Sequence, residues 1–410
     1  MLKNNFQKFL SADLISQFGA GMTLSAISWF ILDKSGSNSL VAAASNVNII
    51  SGLIISIFAG AIIDHFSKKA TIVFSLILRA AFVVIPLILL ATYGFNKYFL
   101  FILALNNGLG WNIYFPASKG LIQSITKKED LLKMNSGAEI TMQIGLFSSG
   151  AIAGLLYKYF GFNIILVISS VTFLIGAAIV NSIKIQEAEA EEKINNGFIE
   201  IFREGFSYLK AHKFIFVLGI IMYIPFVAGS SFSTILPGFV RQVLKGDSTV
   251  YGLVDMFYGV GACVGGIAII GIAKRISSRL LITVGFAIST SAAIIMFLNK
   301  SVLLACMITI TFGICSAGIR TVIYSLIMRT VPNAYLGRIM SVWNAISLTL
   351  QVIVTYSIGR ITDKVSVAYG FLFYAAVMLI GLIMYSISAK LSAEKAINED
   401  DVDKITSKAE

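Results

Sequence analysis

Charged residues are scarce in this sequence. Asp, Glu, Lys and Arg together make up 13% of its 410 residues, whereas soluble domains carry about 25%, and hydrophobic residues make up 57%. A soluble fold of that composition would leave wide apolar patches in contact with water. Because lipid tails solvate such surfaces, the composition excludes an ordinary soluble domain and indicates a membrane protein.

Cysteine and histidine are also scarce, with three and two copies. The cysteines, Cys263, Cys306 and Cys315, all lie inside apolar runs, and their spacing resembles neither a metal site nor a disulfide framework. The histidines, His65 and His212, flank basic loops, which excludes a Ser/His/Asp catalytic set inside the membrane. There is no P-loop for a nucleotide. We therefore expect no metal, no cofactor, no enzymatic activity and no direct use of ATP.

Twelve apolar runs are long enough to cross a bilayer, which takes about 20 residues per helix. They lie at 10–32, 39–63, 71–92, 98–118, 138–157, 163–183, 214–237, 251–273, 279–298, 301–323, 339–359 and 366–389. The sequence therefore predicts an all-α polytopic membrane protein with about twelve transmembrane helices. The first run is long enough to remain in the membrane, so we expect no cleaved signal peptide.

The net charge of +11 comes mainly from lysines and arginines in the short connections between these runs. Most of them fall on every second connection, on the side of the N-terminus. Cytoplasmic connections carry such an excess of basic residues, so the pattern predicts a multi-pass cell-membrane protein with both termini in the cytoplasm. It does not predict a basic face for nucleic acid.

A polar segment divides the runs into two sets of six. We predict an N-terminal six-helix bundle at 1–184, a cytoplasmic linker at 185–212, a C-terminal six-helix bundle at 213–390 and a cytoplasmic tail at 391–410. The linker has the pattern of an amphipathic helix, which either lies on the membrane surface or packs on the bundle. The connections 125–136 and 331–341 both place a leucine two residues before a basic residue and a serine three residues after it. This repeat predicts pseudo-symmetric bundles, as in many secondary transporters.

The connection after the second run contains an acid and two lysines. Asp64 follows Gly60 by about one helical turn, and Lys68 and Lys69 follow at the predicted membrane edge. The two lysines either neutralise the acid or bind lipid phosphates, or the segment is a short basic turn placed by the orientation rule. The residues alone leave both interpretations open.

This connection resembles the loop 2–3 signature of the major facilitator superfamily, which is a glycine, three residues, an aspartate and then a basic run. It departs from that signature at His65 and Ser67. The chain length, the central polar segment and the repeat also resemble that superfamily. The resemblance implies that the four motif residues named above form a gating element between the bundles.

Two further stretches, 17–21 and 114–136, are similar to macrolide-efflux and enterobactin-exporter-like drug–proton antiporters. This resemblance implies proton-coupled efflux of amphipathic small molecules by alternating access, as in multidrug resistance. The family's Gly-Pro antiporter signature is incomplete, because Gly145, Gly150 and Gly154 occur without the proline. We expect a monomer whose partners are a small-molecule substrate, protons and membrane lipids.

Two other functions stay open at this point. The first is export of an endogenous anionic metabolite such as a siderophore, whose carboxylates Arg79 and Arg320 would hold. The second is a lipid flippase or scramblase.

Charged residues inside the runs need a physical reason, since each costs about 2.5–3.5 kcal/mol at the membrane centre. Arg79 lies near the middle of the third run and must face a polar cavity or pair with an acid, for which Asp13, Glu139 and Asp255 are candidates. Asp13 and Glu139 are also our candidates for proton coupling. Polar and aromatic residues in the runs either join helices or line a cavity. Our candidates for the substrate cavity are Gln17, Trp29, Arg79, Trp111, Asn112, Tyr114, Gln143 and Arg320.

Overall fold

The regular structure is helical throughout the residues that the structure describes. This computed structural model describes residues 2–65, 67–126, 131–184, 198–273 and 275–406. The helices of the first half of the chain are α1 (Leu2–Ser35), α2 (Asn38–His65), α3 (Lys68–Tyr93), α4 (Lys97–Ile125), α5 (Leu131–Phe160) and α6 (Phe162–Asn181). After α7 (Phe198–Ala211), the helices of the second half are α8 (Lys213–Gln242), α9 (Ser248–Ile272), α10 (Ser278–Leu298), α11 (Val302–Thr330), α12 (Asn333–Lys364) and α13 (Tyr369–Thr406).

Eleven of the described helices are long and apolar enough to cross a membrane. Helices α4 and α7 are outside that set. Helix α4 has 29 residues, about 44 Å of helix, and its lower hydropathy comes partly from Asn106 and Asn107, which bind Arg79 of α3. It packs between α2 and α3, which are both in the apolar set. The prediction of an all-α polytopic membrane protein with about twelve spans is confirmed.

Short polar signals begin and end these helices. Ser67 caps α3 by accepting a hydrogen bond from the Ala70 N–H, and Ser301 caps α11 in the same way. Gly161 alone separates α5 from α6, with φ at 78°. Because this left-handed conformation favours glycine, the chain can reverse there within a single residue.

The predicted linker contains the 14-residue helix α7, which packs on α12. Arg338 of α12 lies 2.7 Å from the Glu204 carboxylate, and the Tyr208 and Tyr335 rings stack with their centres 4.6 Å apart. Leu209 is 1% exposed. Part of the apolar face of this helix is therefore in contact with protein, whereas Phe206 is 50% exposed. Residues 185–197 of the linker lie outside the described residues. Most of the predicted tail, 391–406, continues α13 as a helix.

The buried apolar side chains in the described part of the chain form two clusters. One is built from α1 to α6, and the other is built from α8 to α13 with additions from α7 and α1. The α1 contribution to the second cluster is Trp29. The predicted arrangement in two pseudo-symmetric bundles and the division into four segments stay predictions.

Two helix pairs make most of the described contacts between the halves, α5 with α9 and α2 with α12. A Cβ atom on Gly252 of α9 would lie 2.2 Å from the Gly150 carbonyl oxygen of α5. On the other side, a Cβ on Gly359 of α12 would lie 2.5 Å from the Ala42 side chain of α2. Small residues at these crossings allow the backbones to approach closely, as is common between helices in membranes.

Candidate functional site

A cavity of about 190 Å³ lies between the two halves of the chain. Helices α1, α2 and α4 of the first half and α8, α9 and α12 of the second half all contribute to its wall. Leu24, Ile27 and Ile49 supply apolar surface. The main polar groups are Ser25, Ser28, Asn48, Ser230, Asp255 and Gln351. A mixed wall of this kind is typical of a small-molecule site.

Among the described residues that line this wall, Asp255 is the one with a charged side chain. The Ser25 hydroxyl of α1 donates to Asp255 Oδ2 at 2.8 Å. A Cβ on Gly150 of α5 would lie 3.0 Å from the same oxygen, so glycine leaves room for the carboxylate there. Three helices therefore meet around Asp255, and the carboxylate links the halves at the cavity.

The end of the molecule that carries the α1–α2, α5–α6, α8–α9 and α12–α13 connections is called the hairpin end. At this end, Arg241 of α8 lies 3.4 Å from the Asp33 carboxylate of α1. Its guanidinium also donates to the Leu32 carbonyl oxygen at 2.7 Å. The Tyr157 hydroxyl of α5 donates to Asp33 at 2.8 Å. Asp33 thus ties α1 and α5 to the second half.

A second acid belongs to the second half of the chain and binds a residue of the first half. Asp247, just before α9, lies 2.8 Å from the Lys158 ammonium of α5. The hydrogen bond from this ammonium holds the pKa of the Asp247 carboxyl below its usual value, so the pair stays charged at neutral pH. The neighbouring Ser248 hydroxyl donates to the Gly154 carbonyl oxygen at 2.8 Å.

A third acid, Asp363 near the end of α12, binds the start of α2. Its carboxylate accepts hydrogen bonds from the Asn38 N–H at 2.7 Å, the Ser39 N–H at 2.9 Å and the Ser37 hydroxyl at 2.9 Å. The N-terminus of a helix has unpaired N–H groups and a partial positive charge, so a carboxylate is favourable there. A residue of the second half therefore caps a helix of the first half.

These three acids and their partners are called the closure contacts. Between them and the cavity, the Trp29 ring of α1 stacks on the Tyr251 ring of α9 with centres 5.4 Å apart. Tyr251 also lines the cavity. In this conformation the two halves are held together at the hairpin end, on one side of the cavity.

Asp13 lies in a different place, inside the first half. It is 4% exposed, and its carboxylate accepts hydrogen bonds from the Tyr114 hydroxyl at 2.8 Å and the Thr141 hydroxyl at 2.8 Å. The Gln17 amide lies at 3.5 Å. Three predicted site residues, Asp13, Gln17 and Tyr114, are therefore in one hydrogen-bonded group. Each carboxylate oxygen has a neutral donor, which offsets part of the cost of burying the charge.

Arg79 is 2% exposed and lies among α3, α4 and α6. Its guanidinium donates to Asn107 Oδ1 at 2.9 Å and sits 4.4 Å from the centre of the Phe173 ring. Its described partners are therefore an amide and an aromatic ring instead of the expected acid. Arg79 does not line the cavity described above.

The other predicted cavity residues lie in several places. Trp111 stacks on Phe115, and the Asn112 amide donates to the Gly108 carbonyl oxygen at 3.0 Å. The Arg320 guanidinium lies 4.3 Å from the centre of the Phe226 ring. The Gln143 amide donates at 3.0 Å to the exposed Glu139, on the same helix. None of the predicted cavity residues lines the cavity described above, although Trp29 packs on Tyr251 of its wall. Their place on the substrate path stays a prediction.

The loop motif is only partly described. Gly60 and Asp64 lie on α2, but the Asp64 side chain is outside the described residues. The Lys69 ammonium donates to the Ile183 carbonyl oxygen at 3.0 Å, next to the end of α6. Lys68 lies along Gly120 of α4, where a Cβ would come within 2.9 Å of it. Lys69 therefore binds the chain just after α6, and the alkyl part of Lys68 packs against α4.

Similar proteins give the family context of this site. A family model described as a transmembrane secretion effector matches residues 1–409. Macrolide efflux protein A of Streptococcus pyogenes is 22% identical over 383 residues, which cover 90% of this chain and 92% of that protein. An uncharacterized MFS-type transporter of Bacillus subtilis strain 168, YvqJ, is 22% identical over 352 residues, which cover 84% of this chain and 83% of that protein.

Solved transporter structures have the same fold. The nucleoside transporter NupG has a TM-score of 0.77 at 11% identity and covers 94% of this chain and 99% of its own. The POT family transporter PepTSo has a TM-score of 0.70 at 11% identity, with 94% and 97% covered. The family match over nearly the whole chain, the MFS-type relatives and this shared fold lead to one conclusion: the chain belongs to the transmembrane secretion effector family of the major facilitator superfamily and is a multi-pass membrane transporter.

Proposed function

We propose that this protein is a secondary active transporter that exports amphipathic small molecules by alternating access. The central observation is a cavity between the two halves with cross-half contacts concentrated at the hairpin end. Ion pairs that are partly exposed contribute only about 0–1 kcal/mol each. Such contacts can open and close during a transport cycle without unfolding the halves.

The orientation follows from the basic residues. Lysines and arginines are concentrated on the connections opposite the hairpin end, which supports a cytoplasmic location for those connections and for both termini. The described conformation is then closed towards the outside of the cell membrane. We propose that two bundles move against each other, formed by segments 1–184 and 213–390. The linker 185–212 joins them, and the tail 391–410 follows the second bundle.

The direction of transport and the substrate class draw support from the relatives. A relative named for macrolide efflux aligns over most of both chains. The wall of the cavity combines apolar and hydrogen-bonding groups, which suits an amphipathic compound. We infer export of drug-type molecules by a monomer.

Proton coupling needs a carboxyl group that can exist in both charge states. Asp13 is suited to that role because its described partners are neutral donors, so a proton can bind without breaking an ion pair. Glu139 is a second candidate because it is exposed and also has a neutral partner, Gln143. The protonated and ionised forms would favour different conformations of the two halves.

The anionic-substrate alternative would require a basic group in the cavity. Arg79 and Arg320 lie instead against Phe173 and Phe226, away from the wall of the cavity. This arrangement favours the first function. A lipid flippase or scramblase is tested as an outcome of the experiment below.

The test uses purified protein in liposomes with an imposed pH gradient. A panel of cationic, neutral and anionic amphipathic compounds is followed, together with a fluorescent phospholipid. We expect gradient-dependent accumulation of some of the compounds and no transfer of the lipid. In Asp13→Asn, gradient-driven accumulation should stop while downhill exchange continues, and Glu139→Gln is tested in the same way. Lipid transfer without transport of any compound would contradict the proposal.

The loop motif is proposed as a gating element at the cytoplasmic edge, formed by Gly60, Asp64, Lys68 and Lys69. Asp64→Asn keeps the shape of the side chain and removes its charge. We expect the turnover rate to fall at least tenfold while substrate affinity stays within about twofold. Loss of affinity at a normal turnover rate would contradict a gating role.

A further inference from the structure

Among the residues that the structure describes, one carboxylate lines the cavity, and it accepts a single hydrogen bond. Asp255 projects into the wall from α9, and its described hydrogen bond is the one that Ser25 donates to Oδ2. The other oxygen, Oδ1, has no partner among the residues that the structure describes. A carboxylate in a largely apolar surrounding is costly unless a donor or a cation offsets its charge.

Several other acids have a basic partner or a hydrogen-bond donor on each carboxylate oxygen. Asp33, Asp247 and Glu204 lie in ion pairs with Arg241, Lys158 and Arg338. Asp13 has neutral donors on both oxygens, is 4% exposed and does not line the cavity. Asp255 differs from all of these because it combines an unused oxygen with an adjoining cavity.

The groups around Asp255 suit an amphipathic cation. The Tyr251 side chain lies one helical turn before it and lines the same cavity, with one face of its ring stacked on Trp29. Aromatic rings attract cations. Leu24, Ile27 and Ile49 offer surface for an apolar body. No basic side chain lines the cavity in the described part of the chain, so the charge of Asp255 is not neutralised there.

We propose that Asp255 is the counter-ion for a single positively charged group on the substrate, so that the cavity selects amphipathic monocations over neutral and anionic compounds. Ser25 is a positioning residue, because its hydrogen bond fixes Oδ2 and leaves Oδ1 available to the ligand. This inference rests on the proposed transport function and specifies the substrate class of the same cavity.

The first test is equilibrium binding to the full-length purified protein. The probes are tetraphenylphosphonium, a lipophilic monocation, and triphenylphosphine oxide, a neutral relative. Asp255→Asn keeps the size of the side chain and removes its charge. Charge-assisted contacts support a loss of about 10- to 100-fold in tetraphenylphosphonium affinity, with less than about twofold change for triphenylphosphine oxide. Asp255→Glu should retain part of the affinity.

Glu204→Gln is the matched control, because it removes an acid that pairs with Arg338 away from the cavity. It should bind both probes as the unmodified protein does. Ser25→Ala should weaken tetraphenylphosphonium binding by a smaller factor than Asp255→Asn and leave triphenylphosphine oxide binding unchanged. Equal losses for both probes in Asp255→Asn would mean a general packing role and would overturn the inference.

A second measurement uses the unmodified protein and does not depend on the folding of a variant. A hydrophobic carbodiimide labels accessible carboxyl groups, and mass spectrometry locates the label. We expect labelling at Asp255 that tetraphenylphosphonium suppresses and triphenylphosphine oxide does not. No suppression at saturating tetraphenylphosphonium would overturn the inference. If the liposome assay still shows export of neutral compounds, the proposed transport function holds even when the proposed role of Asp255 fails.

Discussion

Arg79 shows how a single charged side chain is accommodated at membrane depth. Its guanidinium lies between an amide oxygen and an aromatic face, and the stem passes Gly110 of α4. A Cβ at position 110 would lie 2.4 Å from Arg79 Cδ. Arg79 can therefore occupy this position because residue 110 of α4 is a glycine, which has no side chain.

Gly110→Ala should consequently destabilise the protein. Overpacking of a filled interior costs about 1–3 kcal/mol, so we expect a clear fall in the midpoint of thermal unfolding in detergent. Gly266→Ala is the matched control, since it is also a glycine inside a helix but a Cβ there meets no atom within 4 Å. Equal unfolding midpoints for the two variants would contradict the described packing of Arg79.

At the scale of helices, the closure contacts decide which end of the cavity is shut. The Asp363 carboxylate on α12 is bound to the N-terminus of α2 through two backbone N–H groups and a hydroxyl. Loss of a helix cap costs about 1 kcal/mol, which corresponds to about a fivefold change in a conformational equilibrium. Removal of this one contact should therefore shift the population measurably.

Asp363→Ala should make the cavity more accessible from outside the cell. The measurement is the rate at which a membrane-impermeant maleimide, added outside, labels Ser28→Cys in the cavity wall of an otherwise cysteine-free protein. We expect an increase of several-fold. Ser301→Ala removes a side-chain helix cap at the same end of the molecule but within the second half, and should leave the rate unchanged. The same rate in both variants would show that Asp363 does not hold the halves together.

The helices themselves could be predicted from the sequence because the bilayer imposes a simple rule. A backbone in lipid must satisfy its own hydrogen bonds, so long apolar runs become helices. Even α4 was predicted, although its asparagines lower its hydropathy. Cavity-lining residues could not be predicted in this way, because a span buried on several sides shows no apolar stripe that reveals its rotation. Asp255 was considered as a partner for Arg79, whereas the structure places it against Ser25.

The neutral partners of charged groups were also beyond prediction from sequence. Asp13 lies against Tyr114 and Thr141, and Arg79 lies against Asn107 and Phe173. An amide or a ring occurs so often in apolar runs that its presence does not identify a partner. The closure acids were missed because each lies at the end of a helix, far along the chain from the residues that it binds.

For the whole molecule, the two core clusters and the closure contacts indicate two halves that meet around one cavity. The described hydrogen bonds and ion pairs between the halves lie beside the cavity or towards the hairpin end. Alternating access requires that these contacts open when the opposite, cytoplasmic end closes. The two ends of the cavity must therefore move reciprocally.

Two spin-label distances measured under the same conditions test this reciprocal motion most directly. One pair, Lys34→Cys with Lys364→Cys, spans the halves at the hairpin end. The other pair, Ser124→Cys with Thr330→Cys, spans them at the cytoplasmic end. All four positions are exposed. The background carries alanine at the three native cysteine positions. On addition of a transported compound, we expect a longer hairpin-end distance to gain population as the cytoplasmic distance shortens. A hairpin-end distance that stays fixed in protein that still transports would contradict the account.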